Sequence, residues 1–145
     1  MHDLDSFDPA DLPILSVDLR RAACRSDSTP EGWTDADIDR AVDRYRRFLA
    51  LCRVSPGVAL APTLDIDLIW RLHMGTPGAY YVDCLTLFGG ILDHDGGFGS
   101  TPEERPTLIA HFEQTARRWE QAFGFSYVAG EVGRQSSFGA SGASA

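Results

Sequence analysis

Apolar positions recur along this chain at three- and four-residue steps, the period of a helix with one buried face, and five such stretches are separated by strong punctuation. Ile14, Val17, Leu19, Ala22, Ala23 and Cys24 give a wide apolar face, predicting a first helix over residues 14–25, and 26–32 reads as a loop. In the second stretch Thr34 is an N-cap with Asp35 and Asp37 in the first turn. Ile38, Val42, Tyr45, Phe48, Leu49 and Cys52 carry its buried stripe until Ser55-Pro56-Gly57 stops it. Residues 58–62 are apolar but have no evident pairing partner, so they read as ordered coil.

Thr63 opens a third helix to about Met74, with Ile66, Ile69, Trp70 and His73 on one face and Gly75 as its end. Thr76 and Pro77 open a fourth, in which Pro77 takes the first helical position, where a missing N–H costs nothing. Its inward side is Tyr80, Cys84, Leu87 and Phe88, and Gly89-Gly90 ends it. After an Asp/Gly loop at 91–100, Thr101-Pro102-Glu103-Glu104 repeats the capping signature. Leu108, Phe112, Thr115, Trp119 and Phe123 then mark a long last helix. With no period-two alternation, the pattern predicts an all-α bundle of about five helices. Residues 1–13 read as a flexible N-terminal segment, 14–129 as a single helical domain, and 130–145, mostly Gly, Ser and Ala, as a disordered tail.

Length and charge narrow the function. The chain has 145 residues, 43% of them hydrophobic, which suits one modest core. Its formal charge of −8, from 21 acidic and 13 basic residues, opposes a phosphate backbone, so no nucleic-acid partner is expected. The Arg20/Arg21, Arg44/Arg46/Arg47 and Arg117/Arg118 groups read as solvated helix faces. The acidic start MHDLDSFDPADLP lacks the basic and apolar regions of a secretion signal, and no stretch approaches the ~20 apolar residues of a membrane span. Neither a membrane nor an oxidising compartment is implied. A cytoplasmic setting, with Cys24, Cys52 and Cys84 as free thiols, follows.

Candidate chemistry gathers between Pro62 and Asp95. His73 lies three residues after Trp70 and Cys84 four after Tyr80, so both face inward on consecutive helices joined by a tight turn. His94, in the loop leaving the second of them, supplies a third corner, and Asp67, Asp93 or Asp95 an oxygen. Such a set suits zinc or another transition metal. The spacing matches no established zinc pattern, and the competing reading is a hydrogen-bonded core histidine beside a cysteine that packs as a small hydrophobe. Asp67 and Arg71 are spaced for an i,i+4 ion pair, and Asp65 reads as a charge on the helix N-terminus. A Cys84/His73 nucleophile is opposed by its aromatic surroundings, Tyr80, Tyr81 and Phe88. No serine elbow, phosphate-cradling loop or calcium loop is present, and no catalytic residue is assigned.

The same words resemble the glycine-rich domain-containing protein-like family. Its Pro-Thr-x-x-[Ile/Val]-Asp-x-x-Trp-His-x-His phrase is matched by Pro62, Thr63, Ile66, Asp67, Trp70 and His73. Pro77, Tyr80, Cys84, Phe88, Gly89, Asp93 and His94 match the words that follow. Tyr45, Phe48, Leu49 and Leu51 upstream, and Thr115, Trp119, Phe123, Gly124 and Tyr127 downstream, extend the similarity over about residues 17–127. The chain departs from the pattern where Arg71 replaces the first histidine of the Trp-His-x-His phrase, and in the short run standing where the long glycine-rich region falls. The resemblance implies the domain, and the leading reading of its residues is a small soluble helical binding or scaffold module with a His/Cys/Asp polar site, for a protein or small molecule. The alternative is a metal-dependent enzyme acting on a small molecule through His73, Cys84 and His94.

Overall fold

The computed structural model describes Leu4 and residues 7–133. Its helices are α1 (Leu19–Arg25), α2 (Asp35–Arg53), α3 (Leu64–Met74), α4 (Pro77–Phe88) and α5 (Arg105–Phe123), and the described residues contain no strand. The all-α architecture expected of the sequence is the one observed.

α2 is the central element. Thr34 and Asp37 close a reciprocal capping box, the Thr34 hydroxyl accepting from the Asp37 N–H and the Asp37 carboxylate from the Thr34 N–H. Tyr45, Phe48, Leu49 and Leu51 on this helix are fully buried, and α1, α3 and α5 pack around it while α4 packs on α3. α4 and α5 end on Gly89 and Gly124 with φ of 73° and 82°, the left-handed conformation that only glycine takes without strain.

Two helix starts and one cap differ from the sequence reading. α1 begins at Leu19 because Asp18 caps it, its carboxylate accepting from the Arg21 N–H. Residues 14–17 instead cross α4, where the Ser16 N–H donates to both oxygens of Asp83, and Ile14 stands 90% exposed. α5 begins at Arg105, since Thr101 to Glu104 form a separate turn in which the Thr101 hydroxyl accepts the Glu104 N–H. Thr63 occupies the N-cap of α3, but its hydroxyl donates to the Asp65 carboxylate instead of capping the helix.

Both ends are anchored further out than composition suggests. Phe7 packs edge-on against Phe123, and Arg46 donates to the Pro13 carbonyl. Val132 is 4% exposed and its N–H donates to Asp65, so packed chain continues past the expected boundary at Gly130. The rest of the expected tail, 134–145, lies outside the described residues. Among the described residues no helix is long and apolar enough to cross a membrane.

Candidate functional site

Polar side chains enter the interior at two levels. The deeper is an ion pair between Arg44 Nε and Asp65 Oδ2 at 2.7 Å, with the side chains 5% and 0% exposed. Arg44 also donates to the Thr63 hydroxyl and the Tyr127 carbonyl, and its guanidinium lies 5.1 Å from the Trp119 ring centre and 5.4 Å from that of Tyr127. Asp65 accepts from the Thr63 hydroxyl and from the Ile66 and Val132 N–H groups. The Tyr127 hydroxyl, held well above the usual phenol range by burial, donates to the Ala61 carbonyl. This ties α2, the start of α3 and the chain after α5 together. It corrects two sequence readings, because Arg44 is not on a solvated face and Asp65 is a buried partner, not only a helix-end charge. A signal existed: Ala41, Arg44 and Phe48 are spaced three and four apart, which puts Arg44 on the apolar stripe of α2.

About two helical turns further along α3, His73 is 1% exposed and bonded through both ring nitrogens. Nε2 lies 2.8 Å from Asp83 Oδ2 and Nδ1 lies 2.7 Å from the Tyr45 hydroxyl. A carboxylate only accepts, so Nε2 carries the proton and Tyr45 donates to Nδ1. Burial lowers the His73 pKa against the opposing pull of Asp83, and burial likewise drives the Tyr45 hydroxyl upward. Cys84, 2% exposed, sits in the same layer. Asp83 is a residue the sequence reading passed over, although it falls three after Tyr80 on the inward side of α4.

His94 occupies different ground. Its Nε2 lies 2.5 Å from Asp67 Oδ1, and the other Asp67 oxygen takes the Arg71 Nε at 2.9 Å, which is the ion pair expected from spacing. The imidazole stands edge-on to Trp70 with ring centres 4.3 Å apart. The Trp70 indole N–H donates to the Tyr80 hydroxyl at 2.9 Å, and Tyr80 donates to the Leu92 carbonyl, fixing the loop that carries His94. His73 meets the other side of Tyr80, ring centres 4.9 Å apart. The two histidines are thus linked through Tyr80 and Trp70 and bonded to different carboxylates. Asp93 and Asp95 flank His94 as exposed groups. Among the described residues no three His, Cys, Asp or Glu side chains are placed to hold one metal ion.

Asp67, Trp70, Arg71, Asp93, His94 and Asp95 line a cleft of about 860 Å³ between the 53–62 connector, the 87–98 loop and the start of α5. Leu60, Leu87, Phe88, Leu92 and Leu108 give it apolar walls. Cys52 also borders it, but burial pushes that thiol up to about 12, so it is no nucleophile near neutral pH.

Fold and site define a small all-α domain with a buried polar network and, beside His94, a lateral cleft. Residues 24–83 match the glycine-rich domain-containing protein-like family. The match takes in Trp70 and His73 and stops at Asp83, short of Cys84 and His94. Glycine-rich domain-containing protein 1 of Arabidopsis thaliana is 35% identical over 101 residues, 65% of this chain and 12% of that protein. Glycine-rich domain-containing protein 2 of the same plant is 33% identical over 97 residues, 64% of this chain and 12% of its own length. The chain therefore corresponds to about an eighth of the relatives it matches. No solved structure matches it.

Proposed function

We propose that the chain is a binding module whose ligand seat is the cleft beside His94. The observation that carries this is the cleft itself: at about 860 Å³ it falls in the range of roughly 300–1,000 Å³ usual for small-molecule sites. Its walls are mostly apolar, and the polar groups at one end, His94, Asp67 and Arg71, are held by one another before any ligand arrives. Such pre-formed geometry spares a ligand the cost of ordering the site. The buried His73, Tyr45 and Asp83 set supports the walls and has no access to the cleft through either ring nitrogen, both being used.

Binding of 1-anilinonaphthalene-8-sulfonate tests this. The native protein is expected to enhance the dye's fluorescence saturably at one site, and Leu60→Trp, which fills the cleft from its wall, to abolish the enhancement while the circular dichroism stays that of the wild type. Absence of saturable binding by the folded wild type, or equal binding by the filled variant, contradicts the proposal.

A further inference from the structure

The deeper question is which ligand chemistry the cleft takes, and the answer rests on the binding reading just given. We infer that His94 presents a fixed hydrogen-bond acceptor, so that the ligand is an apolar molecule carrying a hydroxyl or N–H donor. The Asp67 carboxylate accepts from the Arg71 Nε on one oxygen and takes His94 Nε2 on the other. Because an ionised carboxylate has only lone pairs to offer, Nε2 is the protonated nitrogen, and in the neutral ring Nδ1 is left with the lone pair.

Nδ1 meets no donor among the described residues. It is not buried either: the buried side-chain nitrogens and oxygens without a partner among the described residues are Arg44 Nη1 and Trp119 Nε1. His73 shows the contrast, since its Nδ1 is already taken by Tyr45. The His94 ring has little freedom to seek another arrangement, with its side chain 7% exposed and its edge on Trp70. Gly96 stands beside it and has no side chain to cover Nδ1: an added Cβ would lie 3.1 Å from the imidazole Cε1 and 3.3 Å from Nδ1. An acceptor held this firmly at the end of apolar walls selects for a donor, because a ligand without one leaves Nδ1 desolvated and unpaired.

Asp67 is then a positioning residue, acting through the tautomer it imposes on His94. Asp67→Asn keeps the shape but gives Nε2 an amide donor, which moves the ring proton to Nδ1 and turns the acceptor into a donor.

The test uses 4-propylphenol and 4-propylanisole, the same apolar body with and without the O–H. Binding is followed at pH 8 by nitrogen-15 NMR of the imidazoles and by the signals of Leu60, Trp70 and Leu92. Wild type is expected to show a lone-pair shift at His94 Nδ1 that moves on adding the phenol, and to bind the phenol about threefold to tenfold more tightly than the anisole. In Asp67→Asn the Nδ1 shift becomes that of a protonated nitrogen, and the preference disappears while anisole affinity is kept. Equal binding of both compounds by the wild type at the cleft residues, or a protonated Nδ1 in the wild type, overturns the inference and leaves the cleft as a binding site. If neither compound perturbs the cleft residues, the inference and the binding reading fall together.

Discussion

Asp65 and Asp67 lie two residues apart in the first turn of α3, and helical geometry sends them to nearly opposite faces, roughly 200° apart. Asp65 turns inward, is 1% exposed, and has Arg44, Thr63 and two backbone N–H groups around it. Asp67 turns to the cleft and shares its two oxygens between Arg71 and His94. One aspartate has both oxygens taken by partners inside the fold. The other orients a histidine with a ring nitrogen still free. The same residue type in the same turn has different surroundings according to the face of α3 it occupies.

The largest effects belong to the closed side. Asp65→Ala or Arg44→Ala should each cost about 3–5 kcal/mol of unfolding free energy, read from the urea midpoint, because either leaves a buried charge without its partner. Trp119→Ala, which removes a fully buried ring beside Arg44, should cost about as much, in the range of 3–5 kcal/mol. Melting of any of these like the wild type would mean that the network contributes nothing to stability.

His73 gives an intermediate effect with a pH signature. Its native pKa is lowered by burial, so the unfolded state binds the proton more readily than the native one. The stability tied to this residue is therefore fully present above about pH 6.5, the ordinary histidine value, and is lost as pH falls below it toward the lowered native value. His73→Gln should be less stable near neutrality, by about 1–3 kcal/mol for the unpaired Tyr45 and Asp83, and its Tm should depend less steeply on pH below that value. An identical slope in wild type and variant would place the titration elsewhere.

The open side gives the smallest stability change. Arg71 is 62% exposed, and Arg71→Ala should alter stability by less than about 0.5 kcal/mol. A loss as large as that of Arg44→Ala would erase the distinction between the two faces of α3.

Most of the fold was legible because its signals are local. Thr34 with Asp37, Pro77 after Thr76, and Gly89 act within a turn of themselves, and the structure uses each as a start or stop. The start of α1 was misplaced because Ile14 and Val17 fit the apolar spacing, whereas residues 14–17 are recruited by Asp83, distant in sequence. The polar interior was less legible for the same reason: Arg44 meets Asp65 across 21 residues and the Tyr127 carbonyl across 83. Spacing placed His73 and Cys84 inward correctly, but nothing local shows that Tyr45 and Asp83 occupy both nitrogens of His73. The Asp67–Arg71 pair was readable as a helical neighbour pair, while its third member, His94, arrives by way of a loop fixed through Tyr80 and Leu92.

The most direct test of the division between a closed interior and an open corner compares the two imidazoles in one nitrogen-15 NMR titration with 4-propylphenol. The account predicts that the His94 ring nitrogens shift saturably while those of His73 stay in place. Movement of His73, or an unmoved His94 in the presence of saturating phenol, would contradict it.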